Sequence, residues 1–116
     1  MIALAKKYEL KIAFGSDVFL SKEAYALQSQ EWIARDKFFT PLENLKHATS
    51  IGGEILALSG QRNRYKKGPL GVIQKGAYAD ILIVDGNPLE DITILAEPEK
   101  SLSVIMKDGV IYKNNL

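Results

Sequence analysis

Apolar residues along the chain fall into short clusters whose spacing changes near residue 60. The first cluster, in IALAKKYEL, predicts a short amphipathic helix over Met1–Tyr8, since Ala, Lys and Glu favour helix. It runs into Ile12–Phe14, a continuous apolar triplet of the kind covered on both faces of a sheet, and the run stops at Gly15. Helix followed by such a strand is an α/β rhythm, with the strand expected to lie parallel to its neighbours. Ser21 is placed to cap a second helix over Lys22–Arg35, with Ala24, Leu27, Trp32 and Ile33 turned inward. A third helix, Leu42–Ser59, has the strongest start signal. Thr40-Pro41-Leu42-Glu43 reads as a capping box with proline at the first helical position, where a missing N–H does no harm. Leu45, Ala48, Ile51, Ile55 and Leu58 then recur at helical spacing, and Gly60 is a stop.

Gly52 and Gly53 lie inside that helix, where each costs about 1 kcal/mol against alanine. Close packing against a neighbouring backbone explains them. A phosphate-binding loop does not, because no strand precedes the pair and neither a third spaced glycine nor a GK[ST] follows. From Gln61 the pattern turns polar, and QRNRYKKGP reads as a solvated basic loop. Beyond it come short strand signals at Gly71–Ile73, Ala79–Val84, Leu102–Met106 and Val110–Tyr112. Ala79–Val84 is too continuously apolar for an open surface. Asp85-Gly86-Asn87-Pro88 is a turn, and Asp108-Gly109 is the pair a type I′ hairpin requires. The last third is therefore a small antiparallel β unit.

Composition narrows the function classes. The chain is 47% hydrophobic and 25% charged with a net charge of +1, so nothing electrostatic points to nucleic acid or an anionic membrane. No apolar run approaches the roughly 20 residues of a membrane span, and the N-terminal MIALA is too short for a secretory leader. A cytoplasmic location is expected, unless a leader belongs to a longer parent. Without cysteine there is no disulfide, thiolate site or cysteine nucleophile.

Candidate chemistry centres on Asp17. It follows the expected strand in GSD, and the C-terminal ends of parallel strands are where catalytic groups converge. A carboxylate there can ligate a divalent metal or accept a proton, yet the same residue can serve as a helix N-cap or Asx turn. His47, the only histidine, has no His-x-His partner and is expected to be an exposed or half-buried helix residue. Asp80, Asp85 and Asp91 lack the ligand spacing of a calcium loop. Ser16 and Ser59 lie outside any Gly-x-Ser-x-Gly elbow.

The ordered set IAFGSD, TPLENLKHATSIGGEILALSG, GVIQKGAYADILIVDGNPLEDI and VIMKDGVIYKN resembles the C-terminal part of metal-dependent amidohydrolases, in the imidazolonepropionase-like and Xaa-Pro-dipeptidase-like branch. The resemblance runs from about Lys11 to Asn114. It implies an α+β chain: the last β/α unit of a (β/α)8 barrel within residues 1–62, then the C-terminal half of a small β-sandwich within 63–116. Ile12–Phe14 would be the eighth barrel strand and Leu42–Ser59 the last barrel helix. Asp17 matches the family aspartate that ligates the metal and moves a proton during hydrolysis of a C–N bond.

The family's other ligands, a His-x-His pair, a lysine and two later histidines, have no counterpart here. The resemblance thus implies zinc or another divalent metal, and a small amide, cyclic amide or dipeptide substrate, only for a full-length enzyme. The chain alone is expected to bind no metal and to be inactive. An unpartnered strand and an open sheet edge further predict self-association, as a homo-oligomer or strand-exchanged dimer through Ala79–Val84 and Leu102–Met106. The competing reading is a non-catalytic α+β module in which Asp17 is only a cap.

Overall fold

The computed structural model describes residues 1–17 and 21–116. Among the described residues six short α-helices and three strands are formed: α1 (Ile2–Lys7), α2 (Lys22–Ala26), α3 (Glu31–Asp36), α4 (Pro41–Ala48), α5 (Ser50–Ala57), β1 (Ile81–Val84), α6 (Pro98–Ser101), β2 (Leu102–Lys107) and β3 (Val110–Asn114). The class is α+β, with a three-stranded antiparallel sheet in the order β1-β2-β3.

The caps fall where sequence logic puts them. Ser21 accepts the Ala24 amide at the start of α2. At α4 the Thr40 hydroxyl accepts the Glu43 amide, while the Glu43 carboxylate accepts the Thr40 amide at 2.7 Å, a complete capping box. The β2–β3 turn has positive φ at both Asp108 (48°) and Gly109 (80°), as a type I′ turn demands. Asp80 secures that turn from outside, accepting the Asp108 amide at 2.7 Å and pairing with Lys107 at 2.8 Å.

Several expectations are corrected. Ile12–Phe14 is not a strand: the segment is irregular, and Ile12 and Phe14 are half-buried in alternation with exposed Lys11 and Ala13. Among the described residues the Phe14 amide bonds the His47 carbonyl rather than a neighbouring strand. The helix expected over Lys22–Arg35 breaks at a 3-10 turn, Gln28–Gln30, and Leu27 and Ile33 are exposed while Trp32 packs inward. Gly71–Ile73 forms no strand, and Ile73 is wholly exposed.

The helix expected over Leu42–Ser59 is two helices, α4 and α5, joined at Thr49 (φ −121°, ψ −99°). A loop backbone presses into that joint. A Cβ on Gly71 would overlap the Thr49 carbonyl, and one on Gly53 would overlap the Leu70 carbonyl. Close backbone packing is thus the reason for Gly53; Leu58, on the face expected to be buried, is 80% exposed.

Ile92, Leu95 and Leu102 form the core, with Trp32, Leu45, Val84, Ile94 and Ile105 packed around them, so the core draws on both sides of residue 62. It is thin. Accessible surface totals 8727 Å², where a compact monomer of this mass exposes about 6300 Å². The radius of gyration is 14.9 Å against about 13.4 Å for a compact chain of this length. β1, expected to be buried, exposes Ile81, Leu82 and Ile83, whose faces of the sheet are left uncovered, and among the described residues β2 is its one strand neighbour.

Gly71 combines a positive φ (70°) with the backbone contact at Thr49. Gly71→Ala should destabilise the fold by about 2 kcal/mol or more, lowering the midpoint of thermal unfolding. Gly76→Ala, at a positive φ with open space around it, should lose about 1 kcal/mol. Equal losses at the two sites would show that the close approach contributes nothing.

Candidate active site

Asp17 ends the irregular segment that follows α1, and the positioning of that segment begins with α4. Asn44 and His47 lie three residues apart, hence on one face of α4. Both are buried, Asn44 completely. Arg35, in the last turn of α3, is buried beside them: its Nε donates to Asn44 Oδ1 at 3.1 Å and its Nη2 lies 2.8 Å from His47 Nδ1. Asn44 in turn donates to the Phe39 carbonyl.

The guanidinium is sandwiched, 5.1 Å from the Phe14 ring centre and 4.8 Å from that of Phe39. His47 meets Phe39 edge-on, and Phe14 packs on Trp32 with ring centres 4.2 Å apart. Side chain and backbone therefore converge on Phe14: its ring lies on Arg35 and its amide on the His47 carbonyl. The Ile12–Asp17 segment is held by α3 and α4.

An arginine can only donate, so His47 Nδ1 must accept, which fixes the neutral imidazole with its proton on Nε2. Burial, reinforced by the Arg35 charge, pushes the His47 pKa down from its usual 6.5, with Lys6 acting the same way and Glu43 opposing. Burial also lowers the Arg35 guanidinium, opposed by Glu31 at 3.9 Å. This corrects the expectation of an exposed or half-buried histidine. Arg35 and Asn44 were not candidates in the sequence. The helical spacing of Asn44 and His47 was there to be read, but Arg35 carries no local mark of burial.

Asp17 itself is exposed and has φ of 52°, in the left-handed region that Asp and Asn tolerate better than most residues. Ser21 holds the N-cap of α2, so Asp17 does not cap that helix. Among the described residues no three His, Asp or Glu side chains gather as a metal could bind them. Asp80, Asp85 and Asp91 stay apart: Asp80 secures the hairpin, Asp91 caps the 3-10 turn Ile92–Ala96, and the Asp85 amide bonds the Ser101 carbonyl. Ser59 donates to the Leu56 carbonyl. A cleft of about 660 Å³ opens between the α4–α5 pair and the sheet, lined by His47, Gly53, Leu70, Ile81, Leu82 and Ile105 among others.

No family model matches the chain. Ochratoxinase of Aspergillus niger is 32% identical over 114 residues, taking in 94% of this chain and 21% of the fungal protein. A crystallised amidohydrolase is 36% identical and superposes with a TM-score of 0.81 over 99% of this chain and 25% of its own. A prolidase crystallised with N-methylphosphonate-L-proline is 35% identical, with a TM-score of 0.79 over 97% of this chain and 25% of its own. In sequence and in fold the chain matches the C-terminal part of amidohydrolases. It spans about a fifth of the length of the curated relatives and a quarter of the solved chains. A Xaa-Pro dipeptidase crystallised with methionine bound in the active site is 27% identical, with a TM-score of 0.72 over 97% of this chain and 25% of its own. Within the amidohydrolase-like chain no helix is long and apolar enough to cross a membrane, among the described residues.

The Arg35–His47 contact sets an acid limit on stability. The folded state holds His47 neutral, so its contribution is present above about pH 6.5 and is lost as pH falls through the lowered folded value. Glu43 and Asp80, both lowered by hydrogen bonds to their carboxylates, lose theirs only below about pH 4. Urea unfolding between pH 7 and pH 5 should show falling stability in the native chain and a flatter profile in His47→Gln, whose amide oxygen can still accept from Arg35. Parallel profiles would show that the imidazole does not titrate against Arg35.

Proposed function

We propose that the chain is the C-terminal segment of a metal-dependent amidohydrolase that cleaves a C–N bond in an amide, cyclic amide or dipeptide. Asp17 contributes one metal ligand and moves a proton in the complete enzyme. The observation that carries this reading is the agreement of sequence and fold, at 36% identity and a TM-score of 0.81, across 99% of the chain. The relatives named prolidase and Xaa-Pro dipeptidase favour a dipeptide among the substrates. In this reading residues 1–62 form the end of a (β/α)8 barrel and 63–116 the C-terminal half of a β-sandwich. Ile12–Phe14 becomes a barrel strand once preceding strands lie beside it, and Asp17 then stands at the strand's C-terminal end.

The residues present do not make a metal centre. A catalytic zinc site takes three protein ligands; Asp17 offers one carboxylate, and His47, the only histidine, is engaged by Arg35. The chain alone should therefore bind zinc no more tightly than about millimolar and turn over no amide with any divalent cation. Titration calorimetry showing tight stoichiometric binding that Asp17→Asn abolishes would contradict this. In a full-length parent, Asp17→Asn should lower kcat by about 10²- to 10⁴-fold, the range of a lost proton-transfer group. If the parent keeps its turnover, Asp17 serves only the turn, and the non-catalytic reading of this segment stands.

A further inference from the structure

We infer that Arg35 is a positioning residue for Asp17, acting through Phe14, where the segment carrying the carboxylate is fastened to α3 and α4. The use of that position rests on the proposed function, whereas the fastening itself needs no metal and no turnover. Among the described residues Phe14 is the last before Asp17 to make a hydrogen bond or a ring contact to another element. Only Gly15 and Ser16 lie between the two, so Asp17 takes its place from Phe14 and stands within about 10 Å of it.

Phe14 is held twice, and Arg35 is common to both holds. The Phe14 amide donates to the His47 carbonyl at 3.1 Å, and Arg35 Nη2 fixes the ring of that same histidine. The centre of the Phe14 ring lies 5.1 Å from the guanidinium carbon, and the Arg35 Nε donates to the fully buried Asn44. An apolar residue of similar volume could fill the aromatic box, since exchanging a buried charge for apolar bulk is often neutral or stabilising. It could not hold α4 at two acceptors and Phe14 at its ring face together. That takes a planar fork with separate nitrogens, which lysine, a single compact ammonium, does not supply.

The backbone of Asp17 supplies the readout. Its φ of 52° brings its amide and α protons close, giving a strong intraresidue nuclear Overhauser signal that fades once the residue averages over the negative φ values most residues prefer. In the native 116-residue chain this signal should be strong and the Phe14 amide protected from exchange. Arg35→Lys should lose the signal and expose the Phe14 amide about tenfold or more, the scale of one lost hydrogen bond to a charged group. The amides that pair β2 with β3 should keep their protection. Phe14→Leu leaves the hydrogen bonds of Arg35 in place but offers no ring face, and it should lose the Asp17 signal too; Phe14→Tyr, which keeps the ring, should retain it. In the double variant Arg35→Lys/Phe14→Leu, amide protection at position 14 should fall no lower than in the weaker single variant, because both break one link. Should Arg35→Lys fail to fold, the two Phe14 variants decide. A weak signal in the native chain, a signal unchanged in Arg35→Lys or Phe14→Leu, one lost in Phe14→Tyr, or additive losses in the double variant would each overturn the inference. Such a failure would leave the proposed function standing, and a silent Asp17→Asn in the full-length parent would strike that function without touching the fastening.

Discussion

A guanidinium taken out of water holds the helical half of this molecule together. The carboxylate paired with Arg35, that of Glu31, stands at 3.9 Å. The desolvation of the guanidinium is met by an amide oxygen, an imidazole nitrogen and two aromatic faces. Such a cation is costly unless its hydrogen bonds are made, because the penalty for an unmet buried charge is several kcal/mol. Each partner is therefore constrained in turn: Asn44 by the Phe39 carbonyl, His47 to a single tautomer, Phe14 to its place over the cation. These contacts tie α3, α4 and the segment leading to Asp17 to one another.

The sheet half lives under a different constraint. Its apolar core is three residues ringed by half-buried neighbours, and its strands offer more apolar surface than they cover. Besides the core to which Trp32 and Leu45 contribute, the halves meet backbone to backbone, where Leu70 and Gly71 enter the α4–α5 joint. No side chain can substitute for contact at that range.

Local signals in the sequence were legible where the physics is local. The capping box at Thr40, the Ser21 cap and the Asp108-Gly109 turn each depend on residues within three or four positions, and all three formed as read. The helix class of Leu42–Ala57 was also readable, but its kink was not. Thr49 bends because Gly71, over twenty positions away, needs room there. The strand expected at Ile12–Phe14 and the burial expected of Ala79–Val84, which does form β1, failed for one shared reason. An apolar run states that cover is wanted, not that these residues supply it. Asp17 was singled out through its neighbours in sequence, whereas Arg35 and Asn44 escaped notice because burial of a polar side chain is decided by distant partners.

The left-handed backbone at Asp17 separates two demands that usually coincide. The turn asks only for a residue at ease with positive φ, which asparagine or glycine meets as well as aspartate. Chemistry alone asks for the negative charge. A lineage that had abandoned catalysis could drift to either neutral residue without disturbing the chain path, while valine or isoleucine would be barred in both cases. Under the proposed function, the charge of this side chain answers to use, whereas its backbone conformation answers to folding.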